Sequence, residues 1–258
     1  MTEHNSPVLS FGSKGVKEKG FVQPCSLRLD PRDMVFIVNT GNSRIKVLST
    51  NLDFQTHVLN QSLEGRSVTG VSLGSSADTL ITVNWRTKTV TEISMDGVTI
   101  GAFSHDDFIE PIAVAINADG DMLVADNGVG SIMVFESCGK LKKKIGKKGS
   151  KKGDFKEMSS LCISPVNGDI IVADTRIIVF NAEGEFLREL GGAATSLLTS
   201  GRESAGGGGG GATAAAARGR YSGVAVDNEG TILAARMEKA RSYIKVQYIF
   251  KTEDLYNS

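Results

Sequence analysis

The residues most able to do chemistry in this chain are cationic. IGKKGSKKGDF, Ile145 to Phe155, spaces four lysines among glycines, and FGSKGVKEKGF, Phe11 to Phe21, repeats nearly the same frame. Ammonium groups at that density can meet phosphates or carboxylates. Glycine at those places permits the positive φ that a tight crossover needs. Amides and carboxylates recur too: Asn39, Asn84, Asp126 and Asp174 fall at corresponding places in successive segments, the last two in twin VAD motifs. Such groups could hold a metal around a central channel. Their repetition favours a structural task instead, side-chain hydrogen bonds that tie a strand turn, because an active site is needed once. His4, His57 and His105 are scattered without metal-ligand spacing, and no nucleophile–base arrangement is legible. No catalytic residue, metal or cofactor is expected.

The elements that must position these groups follow from the repeat itself. The two lysine–glycine phrases start 134 residues apart, close to three periods of ~45. Five segments align on that period: PCSLRLDPRDMVFIVNTGNSRIKVLS, TGVSLGSSADTLITVNWRTKTVTEIS, PIAVAINADGDMLVADNGVGSIMVFE, SSLCISPVNGDIIVADTRIIVFN and YSGVAVDNEGTILAARMEKARSYIKVQYIF. Asp30, Gly74, Asn117, Ser164 and Asp227 share the place at the first turn. Each segment reads as short strands with two-residue alternation, such as Val114 and Ile116, Leu123 and Ala125, Ile132 and Val134. Turn formers lie between them, in NADGD, PVNGD and DNEG. A fourth strand follows in most units, as in KLKKKIG and EFLRELG. Four short strands in each ~40–50 residues is the period of a propeller blade. The expected fold is an all-β propeller.

The frame V-A-V/I-x, turn, G-D-x-L-V-A-D, then I-x-V-F, is carried best by MLVADNGVGSIMVF and DIIVADTRIIVF, and it resembles the NHL repeat. The lysine–glycine phrases look like its inter-repeat segment. Such arrays are best known at the C-terminus of tripartite-motif (TRIM-NHL) proteins, and the long Gly/Ala insertion points to an insect member. The resemblance implies six four-stranded blades, whereas five units are visible here. Either PVLSFG, residues 7–12, supplies an outer strand that closes a five-bladed ring, or a sixth blade lies outside this chain. The expected organisation is a flexible tail over 1–6 and a propeller over 7–258. Within it, residues 193–219 form a disordered insertion between the fourth and fifth units, because six consecutive glycines cannot repay their ordering entropy.

Basic and acidic residues balance at 29 each, so any electrostatic function must come from segregation of charge. In an up-and-down blade the loops between strands two and three share a face with the connections between blades. Basic residues outnumber acidic ones there, among them Arg44, Trp85-flanking Arg86 and Lys88, Lys147, Lys148, Lys151, Lys152, Arg176, Arg236, Lys239 and Arg241. Together with Trp85, the one large aromatic placed to stack, these are the expected partner-binding residues. Lys142, Lys143 and Lys144 belong instead to an outer strand, where lysine blocks edge-to-edge association.

The resemblance implies a non-catalytic module that recognises a protein partner or a ubiquitination substrate. Any ligase chemistry would sit in a RING outside this chain, since no RING-type Cys/His ladder exists here. Single-stranded RNA is the alternative partner, with lysines on phosphates and Trp85 on a base. Cys25, Cys138 and Cys162 are far apart and read as reduced thiols. No signal peptide or ~20-residue apolar run is present, so a cytoplasmic protein without membrane contact is expected.

Overall fold

The structure is a computed structural model that describes residues 11–190 apart from Ser75 and Ala77, residues 220–237 and residues 244–250. The tail over 1–6, most of PVLSFG, the insertion over 193–219, and Lys239 and Arg241 lie outside the described residues. The chain divides into two compact units, Met1–Ile116 and Asn117–Ser258.

In the first unit a short parallel pair, β1 (Ser13–Lys14) and β2 (Gly20–Phe21), precedes two four-stranded sheets. One is β3 (Pro24–Leu29), β4 (Val35–Asn39), β5 (Arg44–Leu48) and β6 (Phe54–Val58). The next is β7 (Val68–Leu73), β8 (Thr79–Asn84), β9 (Thr89–Ser94) and β10 (Thr99–Ser104), and β11 (Pro111–Ile116) ends the unit. The second unit opens with β12 (Met122–Asp126), β13 (Ser131–Phe135) and β14 (Leu141–Ile145). It continues with β15 (Ser160–Ile163), β16 (Ile170–Ala173), β17 (Ile177–Phe180) and β18 (Phe186–Leu190). It ends with β19 (Arg220–Val226), β20 (Ile232–Met237) and β21 (Ile244–Phe250). Strand order within every sheet follows the chain, which gives four four-stranded sheets and one three-stranded sheet among the described residues.

The first turn of each blade is set by the aligned residue. Asp30 Oδ1 accepts from the N–H groups of Arg32 (2.9 Å) and Met34 (2.8 Å). Asn117 Oδ1 accepts from Asp119 (3.1 Å) and Asp121 (2.7 Å), and Asp227 Oδ1 from Glu229 (2.9 Å) and Thr231 (2.7 Å). One side-chain oxygen thereby serves donors two and four residues on, which is the turn that Asn and Asp favour. Ser164, with a shorter reach, takes only Val166 N–H at 3.3 Å. Gly74 has no side chain for this task, and the Thr79 side chain fills the space beside it. The Thr79 hydroxyl donates to Glu92 Oε1 (2.8 Å) and would lie 1.9 Å from any Cβ at position 74.

The sandwiching of blades decides burial. β12 and β13 are buried at all five positions each, and β16 and β17 at all four. The alternation expected for Leu123/Ala125 and Ile132/Val134 therefore does not appear as one buried and one exposed face. A middle strand has apolar neighbours on both sides, and its sequence runs apolar accordingly. Core clusters lie between successive sheets. In the first unit Phe36, Ile45 and Val47 meet Val71, Leu80 and Ile93. In the second, Ile171, Ile177 and Val179 meet Tyr221, Val224 and Ile232. Each such side chain contributes about 1.5–3 kcal/mol by leaving water. First strands of neighbouring blades approach closely: a Cβ at Gly70 in β7 would fall 2.9 Å from Ala113 Cα in β11. No helix among the described residues is long and apolar enough to cross a membrane.

Candidate partner-binding loops

The repeated lysine–glycine phrase folds the same way twice. Lys14 bridges Phe21 in parallel, and Lys148 bridges Phe155 in parallel. Gly15 N–H donates to Phe21 C=O at 3.0 Å, and Gly149 N–H to Phe155 C=O at 2.9 Å. Gly12 (φ +82°) and Gly146 (φ +68°) both turn through the left-handed region beneath the aromatic ring. A Cβ at either would lie within 2.4 Å of Phe21 or Phe155, so glycine is required by both backbone and ring.

Each copy is gripped by the blade that follows it. Asn39 Oδ1 accepts from Val22 N–H (2.8 Å), and its amide donates to Gly20 C=O (3.1 Å). Asp174 plays the same part for the second copy, accepting from Lys156 N–H (2.6 Å), Glu157 N–H (3.0 Å) and Thr175 N–H. Asn84 and Asp126 tie their own turns. Asn84 Oδ1 takes Arg86 and Thr87 N–H at 3.1 Å, and Asp126 Oδ1 takes Val129 N–H at 3.0 Å. All four are buried, and all four have backbone partners.

Two expected binding residues are part of these grips. Arg44 donates from Nη2 to the carbonyls of Val16 and Lys17, both at 2.9 Å. Arg176, 8% exposed, donates to the carbonyls of Lys151 (3.1 Å) and Asp154 (2.9 Å) and pairs with Glu189 Oε2 at 2.9 Å. Both guanidinium groups are engaged by the backbone of these loops. In each case one Nη2, with its two hydrogens, satisfies two carbonyls of a glycine-rich loop; Arg176 is buried there, whereas Arg44 is half-buried. Arg236 also departs from its expected loop: it lies within β20, in register with Tyr221 and Lys245.

The remaining cations divide by unit. In the second unit Lys147, Lys148, Lys151 and Lys152 are exposed, and none has a carboxylate partner among the described residues. In the first unit Trp85, Arg86 and Lys88 share the exposed turn between β8 and β9. Trp85 is 37% exposed, and the Arg86 guanidinium lies 5.3 Å from its ring centroid. The loops between strands two and three do adjoin the inter-blade connections. Asn84 Nδ2 donates to Ser62 C=O (3.3 Å), and Asn127 exchanges two hydrogen bonds with the Met158 backbone.

Sequence reasoning missed two lysine roles. Lys46 is fully buried in β5, donating to Gly20 C=O (2.9 Å) with its ammonium 3.9 Å from the Phe21 centroid. Burial pushes its pKa down, and the nearby Arg44 charge adds to that. Its place between Ile45 and Val47 in an apolar strand was the available signal. In β14, Lys142 pairs with Asp121 at 2.7 Å, a hydrogen bond that raises the ammonium pKa, and Lys143 donates to Glu183 C=O at 2.6 Å. These lysines brace turns as well as flanking an edge. Among the described residues no group of three His, Cys, Asp or Glu side chains could hold a metal ion.

These meanders and connections define a β-propeller of four-stranded blades. A family model described as a 6-bladed beta-propeller (DUF5128) matches residues 107–195. Protein brain tumor of Drosophila melanogaster is 28% identical over 141 residues, covering 53% of this chain but only 11% of that protein's length. Among solved structures, a catalytically inactive virginiamycin B lyase from Staphylococcus aureus with quinupristin superposes with a TM-score of 0.57 at 10% identity. That match covers 91% of this chain and 70% of the lyase. Kuenenia stuttgartiensis hydrazine synthase gives 0.54 at 13% identity, covering 90% and 67%. At such identity the structural likenesses show the fold alone.

Proposed function

We propose that this propeller is a non-catalytic recognition module within a larger protein, binding an acidic surface of a protein partner through its lysine-bearing loop. The module corresponds to the C-terminal domain of TRIM-NHL ubiquitin ligases, and the partner is a ubiquitination substrate or scaffold component. One observation carries this reading. Lys147, Lys148, Lys151 and Lys152 are exposed without carboxylate partners among the described residues, on a backbone that Arg176, Asp154 and Asp174 hold in place. A loop whose backbone is already held spares the loop-ordering part of the binding cost. Protein is favoured over single-stranded RNA because Trp85 is the one exposed aromatic over residues 11–190, and Arg86 already lies beside it. A strand reader stacks several successive bases.

Affinity capture with the wild type and with a variant carrying Lys147, Lys148, Lys151 and Lys152 changed to Glu tests the reading. The expected result is loss of the captured partner with thermal unfolding unchanged. Capture that survives the charge reversal sinks the assignment of this loop. Enrichment of particular sequences from a randomised single-stranded RNA pool, with a steep salt dependence, would replace protein by RNA as the partner.

A further inference from the structure

Ser150 stands at the tip of the second lysine–glycine loop. Lys147 and Lys148 precede it by three and two residues, and Lys151 and Lys152 follow it directly. The residue is exposed, and its hydroxyl has no hydrogen-bond partner among the described residues. The loop around it is braced. Phe155 N–H donates to Lys147 C=O (2.8 Å), Gly149 N–H to Phe155 C=O (2.9 Å), and Lys151 N–H to the Asp154 carboxylate (2.9 Å). In the first copy of the phrase Val16 occupies the same place between Gly15 and Lys17, on the same hydrogen-bonded frame. The fold therefore does not need a hydroxyl there. It needs only a residue that tolerates solvent.

We propose that Ser150 is a phosphorylation site for a basophilic protein kinase, and that the phosphate turns off the lysine loop; the second half rests on the loop's proposed role in partner binding. A kinase with an acidic substrate groove selects serines flanked by cations, through matched charge on each side of the hydroxyl. In the transfer, Ser150 Oγ attacks the γ-phosphorus of a nucleoside triphosphate. The bond to the β–γ bridging oxygen breaks, the nucleoside diphosphate leaves, and the hydroxyl proton passes to the base of the kinase. The product carries about −2 charge with three strong acceptor oxygens, placed among four ammonium groups. Charge-assisted hydrogen bonds then draw the lysines onto the phosphate. An acidic partner meets a loop with roughly half its former positive charge.

The test uses the full chain, the catalytic domain of protein kinase C, and ATP labelled at the γ-phosphate, with sites mapped by mass spectrometry. Incorporation of about one phosphate per chain at Ser150 is expected, absent from Ser150→Ala. It should fall by about tenfold or more when the four flanking lysines become alanine. No incorporation at Ser150, or incorporation indifferent to those lysines, overturns the site. Retention on heparin then reads the switch: the phosphorylated chain elutes at lower salt than the unmodified one, and equal retention overturns the switch. If phosphorylation shifts heparin elution while partner capture ignores both the phosphate and lysine charge reversal, the partner-binding reading fails and the modification site stands.

Discussion

Arg44 and Arg176 show how a charged side chain can be consumed by the backbone it was expected to decorate. Each guanidinium satisfies two carbonyls of a glycine-rich connection. Arg176 also holds the Glu189 carboxylate from Nε while Nη2 holds the carbonyls, and lysine, with a single nitrogen, cannot do both. Arg176→Ala is expected to lower the unfolding free energy by about 2–4 kcal/mol in urea titration, and Arg176→Lys to recover less than half of that. Lys147→Ala, a solvated position, should stay within about 0.5 kcal/mol of wild type. Asp30 supplies a pH-dependent case. Burial alone would raise its pKa, but the donors on Met34 and Arg32 outweigh burial and bring it below the ordinary value. The stabilisation is therefore complete above the unfolded-state pKa of about 3.9 and disappears as pH falls through the lower folded-state value. Asp30→Asn should flatten the acid limb of a stability–pH curve, and an unchanged limb would contradict this. The exposed lysines were legible in the sequence because ammonium groups on a glycine-rich loop have nowhere to hide. The arginine grips were not, because the carbonyls they seek lie in another connection and leave no trace in local spacing.

At the scale of elements, strands and turns were legible because their chemistry is local. Asp30, Asn117 and Asp227 announce the first hairpin, and β-branched runs announce the strands around it. Burial on both faces was not legible from period two, since it depends on the neighbouring blade. Gly146 links element to site: with φ +68° and Phe155 packed where a Cβ would go, Gly146→Ala should cost about 1–3 kcal/mol. Limited proteolysis should then cut first near Lys147–Lys152. Outer strands differ in how they guard their edges. β14 carries three lysines and β18 an Arg–Glu pair, whereas β10, TIGAFS, has no charge. Ile100 within it and Val98 just before it are 56% and 63% exposed, and Asn60, next to the 63% exposed Leu59, bonds to Gly97 C=O and Thr99 Oγ1. A lysine guards such an edge in other sheets. Ile100→Lys should raise the concentration at which the protein remains monodisperse in light scattering without shifting its melting temperature.

For the whole molecule, 29 basic and 29 acidic residues balance, and the salt dependence of binding should follow the exposed lysine loop rather than the sum. Trp85 is the only tryptophan in the chain, so intrinsic fluorescence reports on one turn. A partner that covers the β8–β9 turn should shift its emission to shorter wavelength, and a partner confined to the second unit's lysine loop should not. The hydrogen bonds by which blades grip their preceding connections have a further consequence, for the order in which the chain folds. The grips reach back only 17 and 18 residues at Asn39 and Asp174, and 22 to 28 at Arg176 and Arg44. The bonds from Ser159 to Tyr221 and from Val224 to Ser160 span 62 and 64. Short loops close at less entropic cost than long ones. During synthesis each early blade can therefore fasten its own connection as soon as its second hairpin has emerged. The strands beyond the glycine tract must search longer for their neighbour, and a nascent chain halted there would carry every earlier fastening already made.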